Sequence, residues 1–323
     1  MELFPIKFQP LYKYRLWGGD KLKTVLKKDY KEENIGESWE VSDVSGDETT
    51  VINGPLKGFS LKELIQEFKG DFIGHSVYEM FNGQFPLLIK FIDSKKPLSI
   101  QVHPNNEYAK KHHNSFGKNE MWFIMEKDLN SEIIIGFDKE LSSEAYQAAL
   151  KTNNVLELVH YEKVHKGDAF YIPAGRIHAI GAGVLLAEIQ QTSNITYRIY
   201  DYDRIDKLTG VKRELHNNLA VNVLDFKVCE NYKTDYSSKK NKSNKLIHSP
   251  YFKTNYLLIK GEITKDYSEL DSFVIYMCIE NNITLFINNE LYTLSYGETI
   301  LLPACTSLVK LISSSGGILE VFI

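Results

Sequence analysis

Most of the sequence is divided into short runs rich in β-branched and aromatic residues, and turn-forming residues bound these runs. Glycine, asparagine, aspartate and proline are common at the ends, where they favour turns over strand interiors. Short strands at such regular spacing predict a mainly β protein. Up to residue 204 the runs cover residues 38–43, 48–54, 85–93, 98–103, 121–125, 132–137, 168–173, 179–191 and 196–204.

Helical periodicity is confined to four segments, residues 60–68, 105–113, 142–153 and 214–224. The first begins with serine and has glutamate three residues later, which is the spacing of a capping box. We therefore expect a few helices inserted between the strands.

A weak internal repeat indicates that one β unit occurs twice. HKGDAFYIPAGRIH (165–178) and SYGETILLPACTSL (295–308) align without a gap. Both contain a glycine-plus-acid turn, an apolar strand and a proline turn, but His178 of the first copy is matched by Leu308 in the second. The second copy is therefore interpreted as degenerate.

Between the copies, the polar and lysine-rich tract YSSKKNKSNK (236–245) contains no aliphatic residue. Such a tract predicts an exposed linker or loop. We therefore expect a larger domain with helical insertions at 1–235 and a smaller β module at 246–323.

Composition excludes several classes of protein. The formal net charge of -4 does not favour binding to nucleic acid or to an anionic membrane. No apolar run approaches the roughly 20 residues of a membrane helix, and the amino terminus lacks the pattern of a signal peptide. Three distant cysteines, Cys229, Cys278 and Cys305, fit reduced thiols better than disulfides. We therefore expect a cytoplasmic protein.

The first copy of the repeat has a specific spacing, Gly167-x5-Pro173-x-Gly175-x2-His178. It predicts a turn, a strand and a second tight turn that directs His178 inward. The spacing resembles the second motif of the cupins, which are β-barrels of the jelly-roll type. In cupins this histidine is a metal ligand on the barrel wall.

A second group of potential metal ligands precedes it. Strand alternation places Gln101 and His103 on one face of LSIQVH, and Glu120 begins the run MWFIM. With His178 they offer two nitrogen and two oxygen donors, which suits zinc, although iron, manganese or cobalt also accepts such donors. Either histidine alone would more simply be a hydrogen-bonded turn residue, but the combined pattern favours a metal site.

At these motifs the chain resembles the type I mannose-6-phosphate isomerases of the shorter bacterial kind. LSIQVHP and YRIYDYDR are the most specific parts of the resemblance. The similarity covers most of the chain and includes KYRLWGG (13–19), GESWEVSD (36–43), the block 86–109, GKNEMWFIM (117–125) and the block 167–204.

The resemblance implies a role for each residue that matches a family motif. It implies one zinc ion held by four residues, Gln101, His103, Glu120 and His178. It implies a catalytic arginine at Arg198 and a barrel glutamate at Glu188. Less directly, it places two lysines and a serine near a phosphate, Lys90, Lys118 and Ser99.

The implied reaction interconverts mannose 6-phosphate and fructose 6-phosphate through an enediol. It requires an electrophile for the developing oxyanion, a base and a fixed cation. Arg198 suits the last role because arginine stays charged. Three candidates for the base remain open, namely Glu188, a zinc-bound water and Gln101.

Two other functions remain open from the sequence, a non-catalytic sugar-binding cupin and a metal-dependent cupin oxygenase. The complete ligand set argues against the first. Gln101 as a fourth donor and the basic residues Lys90, Lys118 and Arg198 argue against the second, because they favour a phosphorylated, redox-neutral substrate. We therefore expect a small phosphorylated sugar as the partner and a monomer or homodimer in solution.

Overall fold

The computed structural model describes residues 3–323, and strands dominate it, as predicted. The strands of the first part of the chain are β1 (Phe8–Gln9), β2 (Leu11–Gly19), β3 (Ile35–Val41), β4 (Asp43–Val44), β5 (Asp47–Glu48), β6 (Thr50–Val51), β7 (Leu87–Ser94), β8 (Ile100–Val102), β9 (Glu120–Lys127), β10 (Glu132–Phe137), β11 (Val159–Lys163), β12 (Ala169–Ile172), β13 (His178–Ile180), β14 (Val184–Gln191) and β15 (Tyr197–Tyr200). Those of the last part are β16 (Ser243–His248), β17 (Lys253–Asp266), β18 (Val274–Glu280), β19 (Ile283–Ile287), β20 (Glu290–Leu294), β21 (Thr299–Leu302) and β22 (Leu308–Phe322).

Short helices interrupt the strands, and three of the four predicted helices are present. The predicted capping box between Ser60 and Glu63 starts the longest one. The predicted helix at 214–224 is wrong except for a single turn, because Glu214 and His216 bind Arg198 instead of continuing a helix. The helices are α1 (Lys21–Thr24), α2 (Leu61–Ile73), α3 (His75–Met80), α4 (Asn106–His113), α5 (Ser143–Lys151) and α6 (Asn217–Ala220), with a 3₁₀ turn at Val155–Glu157.

Two antiparallel sheets form a barrel in the first part of the chain. One has the order β11-β10-β13-β8-β15 and the other β12-β9-β14-β7-β2-β3. Apolar side chains such as Trp17, Ile92 and Trp122 fill one end of the space between them. This arrangement confirms the predicted cupin-like β fold.

The last part of the chain forms its own sheet, in the order β16-β17-β22-β18-β21, with the hairpin β19-β20 attached through β22. One face of this sheet packs on its own apolar cluster, and we call this unit, residues 243–323, the second barrel. The opposite face packs against the back of β7, β9 and β14, so that Phe91 and Phe123 share a core with Ile275 and Leu319.

The predicted linker is partly structured, because its final residues belong to β16, which begins at Ser243. The division into two domains stays a prediction, since the shared core joins both parts. Within residues 3–323, no helix is both long enough and apolar enough to cross a membrane.

Candidate active site

A cavity of about 380 Å³ lies between the two sheets of the first barrel. The barrel brings together every side chain to which the sequence assigned a role. Two of them, His103 and His178, are fully buried against Glu120, which lies in the cavity wall. The others line the cavity directly, and they are Lys90, Ser99, Gln101, Lys118, Glu188 and Arg198.

His103, Glu120 and His178 form a compact cluster of potential metal ligands. His103 Nε2 lies 3.4 Å from Glu120 Oε1, and His178 Nε2 lies 3.5 Å from Glu120 Oε2. One ligand atom from each of the three lies within 4.8 Å of the others. Across residues 3–323, no other group of at least three histidine, cysteine or acidic side chains has this geometry.

Backbone contacts fix the orientation of both imidazoles. His103 Nδ1 donates to the carbonyl of Ile195 at 2.9 Å, and His178 Nδ1 donates to the carbonyl of Arg176 at 2.8 Å. Each Nε2 is therefore left with a lone pair, as in metal-binding histidines. Both Nε2 atoms and Glu120 Oε2 are buried without a hydrogen-bond partner in the described part of the chain. These donors fit a divalent metal ion.

The electrostatics favour the protonation states that metal ligands require. Burial, together with Lys118, lowers the pKa of His103 to about 3, and burial also lowers the pKa of His178. Burial alone would raise the pKa of Glu120, but Lys118 and the two histidines outweigh it and hold this pKa well below its usual value. Neutral imidazoles and an ionised carboxylate can bind a metal without first losing protons.

Gln101 lies in the middle of a row across three strands. It is directly opposite His178 on β13 and Arg198 on β15. Directly opposite residues share a face of the sheet, so all three are directed toward the cavity. Ile100 and Val102 belong to the apolar cluster on the outer face. The strand alternation expected for LSIQVH is therefore present.

The facing sheet carries a second row, which contains Lys90 and Glu188. These two residues are directly opposite on β7 and β14. Lys90 Nζ contacts Glu188 Oε2 at 2.8 Å and Gln190 Oε1 at 2.5 Å, and Trp122 Nε1 donates to Glu188 Oε1 at 2.9 Å. Burial raises the pKa of Glu188 although Lys90 opposes this effect. The cavity therefore contains a carboxyl group that accepts protons more readily than an exposed one.

Arg198 is held in place by the segment that follows β15. Its Nη1 donates to the carbonyl of Glu214 at 2.7 Å, and its backbone N–H donates to His216 Nδ1 at 3.1 Å. Its Nε is buried and has no hydrogen-bond partner within residues 3–323. Burial and the neighbouring Arg213 lower the pKa of Arg198. This guanidinium therefore has a free donor for an anionic ligand.

Sequence reasoning missed an ion pair in the cavity wall. Arg15 Nε and Nη2 each lie 2.9 Å from a carboxylate oxygen of Glu37, and Trp39 Nε1 donates to Glu37 at 2.7 Å. Burial would raise the pKa of Glu37, but Arg15 and Lys90 lower it to about 2. The blocks KYRLWGG and GESWEVSD contain these residues, and the alternation of Glu37 and Trp39 on β3 was the available signal.

It also missed a group of residues near Arg198. Asp201 accepts hydrogen bonds from Arg204 and Arg213, at distances from 2.5 to 2.8 Å. Arg213 and Asp206 both line the cavity. They lie on an irregular loop, where no periodic pattern could have indicated them.

The fold and the site define a cupin-type barrel with a buried His–Glu–His cluster suited to a metal. The family model for the catalytic domain of type I phosphomannose isomerase matches residues 5–130. The chain is 33% identical to mannose-6-phosphate isomerase ManA of Bacillus subtilis over 306 residues, which are 94% of each chain. It is also 33% identical to mannose-6-phosphate isomerase of Streptococcus mutans over 300 residues, 93% of this chain and 92% of that one. The chain therefore belongs to the type I phosphomannose isomerase family.

A solved structure agrees with this assignment. The crystal structure of mannose 6-phosphate isomerase from Bacillus subtilis matches with a TM-score of 0.87 and 33% identity, over 99% of both chains. A structure from Archaeoglobus fulgidus, described as a putative mannosephosphate isomerase, matches with a TM-score of 0.80 at 23% identity and supports the fold alone.

Proposed function

We propose that this protein interconverts mannose 6-phosphate and fructose 6-phosphate, with one divalent metal ion, preferably zinc, as its cofactor. The observation that carries the proposal is the set of three buried, unpartnered donor atoms beside a cavity that also contains fixed cations and a carboxyl group. The names of the relatives supply the substrate. The proposed metal ligands are Gln101, His103, Glu120 and His178.

The reaction moves one carbon-bound proton between C2 and C1 and one hydroxyl proton between O2 and O1, through an enediol. When bound, the metal supplies a Lewis acid for the carbonyl oxygen of the sugar. Glu188 is the proposed carrier of the carbon-bound proton, because its carboxyl group lies in the cavity wall and burial raises its pKa. Lys90 and Trp122 hold this carboxyl group in place.

The predicted phosphate residues Lys90, Ser99 and Lys118 all line the cavity, but the two lysines already contact carboxylates. Lys90 lies 2.8 Å from Glu188, and Lys118 lies 3.1 Å from Glu120. We therefore place the phosphate closer to Ser99 and Arg198, since Arg198 keeps a free donor and the phosphate group accepts such hydrogen bonds.

The activity is tested by incubating the purified protein with mannose 6-phosphate and following fructose 6-phosphate with a coupled enzyme. We expect turnover that a chelator abolishes and that added zinc restores. A protein with metal bound that turns over neither sugar phosphate would overturn the proposal. Oxygen consumption with another substrate would then identify an oxygenase, and sugar binding without turnover would identify a non-catalytic cupin.

The ligand set is tested separately by measuring metal content per chain. His103→Ala and His178→Ala should each lose most of the bound metal, because each removes a donor aimed at the cluster. His165→Ala is the matched control, since the side chain of His165 is 69% exposed. Full metal retention in both site variants would refute the proposed ligands.

A further inference from the structure

The sheet of the last part of the chain repeats the strand order of the wall that contains Glu188. The catalytic wall has the order β12-β9-β14-β7, and the second sheet has the order β21-β18-β22-β17. Strands β12 and β21 are the apolar strands of the two repeat copies at 165–178 and 295–308. The two walls can therefore be compared residue by residue through their pairing registers.

The registers identify Glu320 as the counterpart of Glu188. In the catalytic wall, the residues directly opposite one another are Phe170, Trp122, Glu188 and Lys90. In the second wall, the corresponding row is Ile300, Tyr276, Glu320 and Asn255. The first members of both rows also match in the ungapped sequence repeat. The second barrel therefore keeps a carboxylate at the same place in its wall.

The comparison extends to the strand that carries the metal ligands. His178 is directly opposite Gln101, and its counterpart Leu308 is directly opposite Asp266. Lys90 and Gln101 lie eleven residues apart, as do their counterparts Asn255 and Asp266. Neither histidine of the first barrel has a histidine as its counterpart. Leu308 takes the place of His178, and Ser268, two residues after Asp266, takes the place of His103. The second barrel therefore lacks the metal centre.

A cavity remains at this place although the metal ligands are absent. It has a volume of about 490 Å³, and Asn255, Asp266, Ser268 and Glu320 are part of its lining. These are the counterparts of Lys90, Gln101, His103 and Glu188, which surround the catalytic cavity or its metal cluster. The second cavity thus occupies the position that the active site occupies in the first barrel.

In the wall of the second cavity, polar side chains are hydrogen-bonded to one another around Glu320. Glu320 is only 1% exposed. Its Oε1 accepts hydrogen bonds from Tyr267 at 2.5 Å and Lys265 at 2.9 Å, and its Oε2 accepts from Ser243 at 2.7 Å and Asn255 at 2.8 Å. A buried ion pair adds little stability compared with apolar residues of similar volume. Stability alone therefore does not account for this network in an otherwise apolar barrel.

We propose that the second barrel is a metal-free binding site for an unphosphorylated monosaccharide. The cavity lining has one cation, Lys265, and three carboxylates, Asp266, Glu269 and Glu320, so it disfavours a phosphate group. Carboxylate and hydroxyl groups at the rim hydrogen-bond to sugar hydroxyls. Phe322, two residues after Glu320 on the same face of β22, supplies an apolar ring for the sugar. The site does not depend on the proposed isomerase activity.

The test is a titration of the full-length, metal-loaded protein with D-mannose, followed by saturation-transfer NMR. The titration is run first without mannose 6-phosphate and then with an excess of it, which fills the catalytic cavity. Ser268→Trp places an indole at the exposed rim, Asp266→Ala removes one polar group, and Ser237→Trp is the control in an exposed tract outside the cavity. Turnover of mannose 6-phosphate is measured for every variant, and we expect it to be unchanged.

We expect saturable binding to the wild type and to Ser237→Trp, and at least tenfold weaker binding to Ser268→Trp and Asp266→Ala. Absence of saturable binding to the wild type would overturn the inference. Equal binding to the wild type and to all variants would also overturn the inference, because the sugar would then bind outside this cavity. Displacement of D-mannose by mannose 6-phosphate would also overturn it, because the sugar would then occupy the catalytic cavity.

Discussion

Lys90 and Glu188 are both buried in the cavity wall, at 5% and 4% exposure, and each neutralises the other. Removing one partner of a buried pair leaves an uncompensated charge, which costs about 3–5 kcal/mol. We therefore expect Glu188→Leu to lower the free energy of unfolding by roughly that amount. We also expect it to reduce turnover of mannose 6-phosphate by at least about 100-fold. Denaturant titration and the coupled assay measure the two effects.

A double variant separates stability from catalysis. Lys90→Met combined with Glu188→Leu replaces the pair by apolar residues, so most of the lost stability should return. Turnover should remain as low as in the single variant, because the proposed proton carrier is still absent. A double variant that regains activity would contradict the role of Glu188.

Asp93 shows a different effect of burial. It is 1% exposed and accepts a hydrogen bond from the backbone N–H of Lys21 at 2.6 Å. Burial raises its pKa from 3.8 to about 6. The unfolded chain loses this proton near its ordinary pKa and the folded chain only near pH 6, so stability falls as the pH rises between these values.

An asparagine at this position cannot ionise but can still accept the hydrogen bond. We therefore expect Asp93→Asn to raise the free energy of unfolding at pH 8 by about 1–3 kcal/mol. The gain should vanish only below about pH 3, where the aspartate is protonated in both the folded and the unfolded state. Urea titrations of both proteins across this pH range measure it, and a difference that does not vary with pH would contradict the explanation.

Some residues of the site could be predicted from local sequence patterns, and others could not. His178 follows a glycine–proline turn, and Gln101 and His103 alternate on one strand, so local patterns were sufficient. Arg15 meets Glu37 only through the pairing of β2 with β3, and Arg213 reaches Asp201 from an irregular loop. Such contacts depend on long-range geometry, which no local pattern specifies.

At the scale of elements, β15 is an edge strand whose free side is covered by the segment before α6. The backbone N–H of His216 donates to the carbonyl of Arg198 at 2.7 Å, and His216 Nδ1 accepts the backbone N–H of Arg198 at 3.1 Å. His216 thus acts as a substitute for a neighbouring strand and fixes the position of Arg198. Burial and the positive charge of Arg198 lower the pKa of His216, which keeps Nδ1 free to accept.

We expect His216→Ala to lower kcat by about 10- to 100-fold, because small displacements of a contacting group have effects of this size. Metal content should be unchanged, since His216 is not a proposed ligand. His216→Asn keeps a side-chain acceptor and should recover most of the activity. Equal kcat values in the alanine and asparagine variants would show that the side-chain acceptor does not position Arg198.

Element boundaries were predictable where local chemistry determines them. The helices that follow Ser60, Asn105 and Ser142 begin with side-chain caps that the structure contains. The apolar run at 179–191 reads as one strand, yet it is divided between β13 in one sheet and β14 in the other. Gly183, with φ +81°, lies at the break. The run alone does not reveal that the chain changes sheets there.

At the scale of the whole molecule, the second barrel packs against the back of the sheet that contains β7, β9 and β14. Strands β7 and β14 are buried along their full length, so one face is directed toward the cavity and the other toward the second sheet. Such strands lack the alternation that would show which face is inside. The sequence therefore predicted two β modules but not that they share a core.

The shared core is also held by the glycine-plus-acid turn that the second repeat copy retains. Gly297 has φ +80°, and a Cβ atom added there would lie 2.7 Å from Leu26 Cβ, while the adjacent Glu298 contacts Lys7 at 2.8 Å. Gly261 has nearly the same φ, +83°, but nothing lies within 4 Å of an added Cβ atom. The two glycines therefore have nearly the same left-handed φ, and they differ in whether an added Cβ atom would meet a neighbour.

We expect Gly261→Ala to lower the free energy of unfolding by about 1–2 kcal/mol, the cost of a left-handed conformation for a residue with a Cβ atom. Gly297→Ala should cost about 1–3 kcal/mol more, because it also forces Leu26 away from its packed position. Denaturant titration of both variants measures the difference. Equal losses of unfolding free energy in the two variants would show that Leu26 can move aside without a loss of stability. The contact of this turn with Leu26 would then not help to hold the two barrels together.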